Sequence, residues 1–187
     1  MIACASSSSP TRSCSRSARS GFTLAWRNIR YEGSFTEFNV HDPGITVLDA
    51  STLPFDGLAA FDRRFFPAPR DAFLSLWLSL PCHRARVALR DGEIVGLAVA
   101  RPCRRGTKIG PLYAGDTPCA LALLAALDTP TLQRPVIVDV PETNKAAVKL
   151  VESFAFTPAF ETARMYTGSA PAADMRRLFG VTTFELG

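Results

Sequence analysis

Apolar positions along the chain change period several times, and each change marks an element. Phe22, Leu24 and Trp26 alternate with their neighbours between Gly21 and Gly33, which predicts a strand. Two turn signals, His41-Asp42-Pro43-Gly44 and Phe55-Asp56-Gly57, surround a short apolar run at 45–48, so residues 34–58 read as a connector. A helix should follow Pro69, with Phe73, Leu74, Trp77, Leu78 and Leu80 toward the core and Pro81 ending it. Two strands come next, at 86–89 and 93–100, and Asp91-Gly92 between them tolerates the positive φ of a tight hairpin. A third strand covers 108–114.

Thr117 is placed to cap a helix, Pro118 suits its first turn, and Leu121, Leu123, Leu124 and Leu127 bury it. The continuous apolar run at 136–140 is that of a strand covered on both faces. Asn144 caps a further helix whose Ala147, Leu150, Val151 and Phe154 form one buried stripe. Residues 157–166 return as a strand, and 181–186 supply a last one. The class is therefore α/β, a mixed sheet with an antiparallel hairpin and a parallel centre, flanked by helices. Ligands in such sheets bind beyond the carboxyl ends of diverging parallel strands. Here that place lies between Tyr113-Ala114 and Val140-Pro141.

Composition narrows the classes. Hydrophobic residues make up 47% and charged residues 20% of 187, enough for a real core. No run is long and apolar enough to span a membrane, so no membrane partner is expected. The net charge of +4 owes most to residues 1–20, which carry Arg12, Arg16 and Arg19 and none of the 17 acids. The body is nearly balanced, which argues against nucleic acid. The basic stretch from Arg84 to Lys108 reads as a solvated face or a phosphate-facing rim. Five scattered cysteines without a C-x-x-C pair suit free thiols in a cytoplasmic setting, and no metal site is expected. Eight serines among residues 1–20 predict a disordered tail or a transit-like segment.

An internal echo ties the front of the chain to its back. Phe22-Thr23-x-Ala25 recurs as Phe156-Thr157-x-Ala159, and Arg30, Tyr31 and Gly33 correspond to Arg164, Tyr166 and Gly168 with one insertion. The order of elements, together with Lys108-Ile109-Gly110-Pro111-Leu112-Tyr113-Ala114, Asp139-Val140-Pro141-Glu142-Thr143-Asn144 and Glu161-Thr162-Ala163-Arg164-Met165-Tyr166-Thr167-Gly168, resembles the GNAT N-acetyltransferases. Within them it resembles the C-terminal domain of bacterial tandem-GNAT proteins, over about residues 54–187. That likeness divides the chain into a Ser/Arg-rich tail at 1–19, the remnant of a truncated first GNAT domain plus connector at 20–50, and a GNAT-like domain at 51–187. The front strand would pack on this domain or join a second chain in a homodimer.

The resemblance implies acetyl-CoA as co-substrate and a small-molecule or peptide amine as acceptor. Leu112, Tyr113 and Ala114 would bind the pantetheine arm through backbone amides, and Asn144 would open the helix beside it. The next helix's unpaired N–H groups would take the pyrophosphate. Yet Gly115-Asp116-Thr117-Pro118-Cys119-Ala120 lacks the family's second glycine and its arginine, Pro118 removes a donor, and Asp116 would repel phosphate. Arg105 to Gly110 resembles the missing loop, but Pro111 stands where a helix should run. Val151 replaces the family's tyrosine acid and Ala155 a common glycine, which closes that route to general acid catalysis.

Other groups stay open between two roles. Asp139 is a catalytic base or the buried partner of an arginine such as Arg164; Glu142 contacts the amine or caps a turn. Tyr113 and Tyr166 line the pocket or fill the core, and Arg164 with Tyr166 are the substrate-binding candidates. Cys119 is an activated thiol or a small buried one, and His41 receives no role. Three functions remain: an acetyltransferase whose first domain carries catalysis, an acyltransferase active in this domain, or a noncatalytic ligand-binding or regulatory module. The degenerate loop and Val151 favour weak or no activity for this chain alone.

Overall fold

A computed structural model describes residues 2–5, 21–36, 38, 42–127 and 132–185. Among these, nine strands form one sheet, from β1 (Ile2–Ala5), β2 (Thr23–Gly33) and β3 (Ile45–Asp49) through β4 (Arg84–Arg90), β5 (Glu93–Pro102) and β6 (Thr107–Ala114) to β7 (Val136–Pro141), β8 (Thr157–Tyr166) and β9 (Leu178–Gly180). The helices are α1 (Phe55–Asp62), α2 (Asp71–Ser79), α3 (Thr117–Ala126) and α4 (Lys145–Ser153). The strand order is β1-β8-β2-β7-β6-β5-β4-β3, with β9 laid on β6. β6 and β7 pair in parallel; the other described pairs are antiparallel.

Most elements stand where periodicity puts them. The β4–β5 turn uses Asp91 at φ 51° and Gly92 at φ 80°, the conformation that Asp-Gly allows cheaply. The helix cap before α3 is a correction: Asp116, not Thr117, accepts from the Cys119 amide at 2.9 Å. Asp116 has extended backbone and a short carboxylate, the geometry a cap needs. The connector is also more ordered than expected, since 45–49 pairs with β4 at the sheet edge and Phe55-Asp56-Gly57 opens α1. Leu58 and Phe61 in α1 are buried against the sheet, so packing overrides the local turn signal.

Two cores lie on opposite faces. α3 and α4 cover one, with Leu123, Leu124, Leu150, Phe156 and Phe179 among its members. α1 and α2 lie on the other, with Phe61, Phe65, Leu97, Tyr113 and Leu178.

The front strand is no appendage. β2 sits between β7 and β8 in the sheet. It also separates β8 from the parallel pair. Ile2–Ala5, expected in a disordered tail, pairs with β8, while residues 6–20 lie outside the described residues. The register of β2 on β8 follows the sequence echo. Asn28 stands opposite Thr162, its own counterpart at an offset of 134, and the flanking pairs Arg27–Ala163 and Ile29–Glu161 are mirror images under that offset. Each strand has one bulge, at Ala25 and at Ala159, the repeated alanines of the two strings. β7 flanks β2 antiparallel as β1 flanks β8, so the ribbon β1-β8-β2-β7 has a local two-fold. A chance repeat of a few letters has no reason to place its bulges symmetrically.

Candidate functional site

The parallel pairing of β6 with β7 runs through Ile109↔Val138 and then stops. Beyond it the two strands splay, which leaves facing backbone groups that need partners. The chain's own segment supplies them. Gly180 and Leu178 pair with Leu112 and Tyr113, the Ala114 amide donates to Arg177 O at 2.9 Å, and the Val181 amide donates to Asp139 O at 2.9 Å. Asn144 adds a side-chain clamp: its Oδ1 caps α4 by accepting from Ala147 N, and its Nδ2 donates to Arg176 O and Leu178 O, each at 3.0 Å. The four residues expected to hold a cofactor, Leu112, Tyr113, Ala114 and Asn144, are all bonded to residues 176–180 in this structure. The last strand is therefore 178–180, three residues before the one expected at 181–186, of which Leu186 lies outside the described residues.

Two glycines explain the close fit. A Cβ on Gly110 would lie 2.4 Å from Val181 O and 2.7 Å from Thr182 O. One on Gly180 would meet Val138 Cγ1 at 3.1 Å and Leu112 Cβ at 3.2 Å. Above and below, Phe179 enters one core and Leu178 the other.

Tyr113 belongs to a buried network on the α1/α2 face. Its ring stacks on Phe65 at 3.9 Å and 8°, and its hydroxyl donates to Asp62 Oδ1 at 3.1 Å. Arg70 grips Asp62 through Nε and Nη2, both at 2.8 Å, and reaches Tyr113 Oη and Thr182 Oγ1. Burial and then Asp62 push the Tyr113 phenol well up, so it stays protonated and serves as a donor.

Asp139 is fully buried and held by two cations. Arg30 binds it in bidentate fashion at 2.8 and 3.0 Å, and Lys108 Nζ donates to Oδ2. The arginine is thus Arg30, not the expected Arg164; the two are equivalent by the local two-fold, and Arg30 is the one beside β7. Burial pushes the Lys108 ammonium down, and Asp139 opposes that. Both cations also face the Phe184 ring. Glu142 lies at the end of β7, where Oε1 accepts from Arg27 N and Oε2 faces Arg27 Nε at 3.3 Å. With its amide donating to Arg27 O, it fastens β2 and does not face the splay.

Arg164 and Tyr166 meet Trp26, Phe65, Phe66, Met175 and Leu178 around a hollow of about 30 Å³. That is a narrow space in this arrangement. Burial lowers the Arg164 pKa. Cys119 is fully buried and its thiol is pushed up by burial, the behaviour of a packing thiol. His41 lies outside the described residues, and no group of three metal-binding side chains occurs among the described ones. An open groove of about 570 Å³ runs between α3 and α4 past Thr117, Leu121, Lys145 and Lys149, beside the splay but outside it.

His83, beside Cys82 in a pair too small for a metal site, gives a pH prediction. Its Nδ1 donates to Trp77 O at 2.7 Å and its ring packs edge-on against Trp77. Burial lowers its pKa; the Trp77 carbonyl opposes that and Arg101 adds to it. The unfolded chain therefore takes up the proton first as pH falls below 6.5, and stability is lost from there down to the lowered folded value. Melting between pH 7.5 and 5.5 should show this slope, and His83→Asn should flatten it; an unchanged slope would assign it elsewhere.

Comparison with known proteins bears on the fold and the family. The acetyltransferase (GNAT) domain family matches residues 58–180, a span that ends with β9. A holothin acyltransferase from Pseudoalteromonas sp. is 24% identical over 170 residues, covering 90% of this chain and 57% of that protein. A Pyrococcus horikoshii structure assigned as an acetyltransferase superposes with a TM-score of 0.75 at 21% identity, covering all of this chain and 59% of that one. A tandem GNAT protein from the clavulanic acid biosynthesis pathway superposes at 0.57 and 12% identity, over 90% of this chain and 63% of that one. The chain thus spans less than two thirds of these relatives. With the family match extending from within α1 through β9, about two thirds of the chain, the chain belongs to the GNAT acetyltransferase family.

Proposed function

We propose that this chain is the noncatalytic unit of an N-acyltransferase that moves an acetyl group from acetyl-CoA to an amine, and that catalysis rests with a second GNAT-type unit. The observation that carries this is the filled splay: Leu112, Tyr113, Ala114 and Asn144 are engaged by residues 176–180. A thioester arm needs those same backbone edges. Residues 167–173 tether the segment, so it competes at an effective concentration on the order of millimolar. The acid position is Val151, buried at 3% exposure and without a transferable proton. Asp139 is saturated by its two cations and Glu142 by Arg27.

The local two-fold supports the second unit. β1 and β2 stand to β8 and β7 as the end of one GNAT unit would stand to the end of another. The likeness to a tandem GNAT protein points the same way. Calorimetric titration of acetyl-CoA and CoA into the 187-residue protein should give no binding, and an amine panel no turnover. Micromolar binding or ordinary turnover by this chain would defeat the reading.

A further inference from the structure

We infer that the splay between β6 and β7 is a polypeptide-binding groove whose ligand class is an extended strand of the pattern apolar-aromatic-glycine-apolar, supplied in this protein by its own residues 178–181. The inference rests on the reading that acyl-CoA is shut out, and it adds what the cleft has become specific for.

Three features select a peptide. First, the groove is read by main chain on both walls: Leu112, Tyr113 and Ala114 on β6, and Asp139 O on β7. This is β-strand addition at an opened edge, where main-chain bonds give affinity and side-chain pockets give choice. Second, Leu178 and Phe179 go to opposite faces, Phe179 among the α3/α4 core and Leu178 among the α1/α2 core, which Val181 joins beyond an irregularity in the pairing with β6. Each is at most 5% exposed, so the pockets are filled by residues of those shapes. Third, the turn before the strand, with Met175 N on Ala173 O and Arg177 N on Asp174 O, brings the carbonyls of Arg176 and Leu178 onto the single Asn144 amide. Two peptide carbonyls satisfy that carboxamide together.

The fit also disfavours a side chain at the third position of the strand, because Val138 and Leu112 crowd Gly180, while Gly110 on β6 lets the strand's main-chain carbonyls at Val181 and Thr182 come close. The Thr182 hydroxyl then accepts from Arg70, which anchors the strand's exit in the Asp62–Arg70–Tyr113 network.

The test uses the full chain carrying Phe179→Asp, which disables the resident strand, and a fluorescent peptide of residues 174–185. The peptide should bind this variant and not the wild type, at least tenfold more tightly than the same peptide with Phe179→Asp. Acetyl-CoA should neither bind the variant nor displace the peptide. Asn144→Ser, which keeps the cap and loses both clamp donors, is the second variant should Phe179→Asp not fold; the peptide should exchange into it in trans. The inference is overturned if either opened variant takes acetyl-CoA in place of the peptide, or if a folded variant binds both peptides equally or neither. These outcomes are separable from failure of the proposed function, which is acetyl-CoA binding to the wild type.

Discussion

Asp139→Asn should lower the melting temperature by roughly 6–20 °C. The carboxylate is 0% exposed and its two cations have no other acid beside them at comparable distance among the ion pairs of the described residues. Removing one partner of a buried ion pair costs about 3–5 kcal/mol, because the remaining charges are left buried and uncompensated. In a chain of this size each kcal/mol moves the midpoint by about 2–4 °C. The amide keeps one acceptor but turns an NH2 group toward Arg30 or Lys108. Glu142→Gln is the matched control, since that pair is part-exposed and worth about 0–1 kcal/mol. Equal melting temperatures for Asp139→Asn and wild type would show that the cluster does not hold β6, β7 and β2 together.

Gly110→Ala should be the more revealing change. The new methyl would lie 2.4 Å from one backbone oxygen and 2.7 Å from another, and neither can rotate away. The segment at 181–182 must lift, taking the Val181–Asp139 bond with it. We expect a loss of about 2–4 kcal/mol by the mechanism of core overpacking and broken main-chain pairing, with rapid proteolysis within 174–185. Gly180→Ala should cost less, about 1–2 kcal/mol, because Val138 Cγ1 and Leu112 Cβ at 3.1 and 3.2 Å must shift by a few tenths of an ångström but no main-chain bond has to break. If the two alanines behave alike, and 174–185 stays protected in both, the close approach of the segment to β6 is wrong.

Much of the fold was legible because its elements obey simple periods. Asp91-Gly92, the buried stripe of α4 and the continuous run of β7 each have a local cause, and each stands where that cause puts it. What escaped was decided by distant partners. Phe55-Asp56-Gly57 has turn chemistry, but burial of Leu58 and Phe61 against the sheet makes it helical. The strand at 178–180 is too short to show a period, and it exists because β6 and β7 leave unpaired groups after Ile109. Nothing in the letters Leu-Phe-Gly announces that.

The site was legible in a different sense. The residues named for the cofactor do converge, and Asn144 does cap its helix, but their common partner is the chain itself. A capping serine would have satisfied the helix equally; the asparagine at 144 carries the additional amide that the clamp uses. For Asp139 the sequence left base or ion pair open, and the echo between Arg30 and Arg164 was the signal that could have named the right arginine. β2 lies beside β7, so the copy nearest Asp139 is the one in β2.

Hydrogen–deuterium exchange of the wild-type chain, with and without saturating acetyl-CoA, reads whether residues 176–180 occupy the place of an acyl-CoA in this unit. The Ala114 and Val181 amides and peptides spanning 176–181 should be deeply protected, unchanged by the ligand. Rapid exchange of that segment when acetyl-CoA is added, with renewed protection of Leu112–Ala114 alone, would contradict that occupancy.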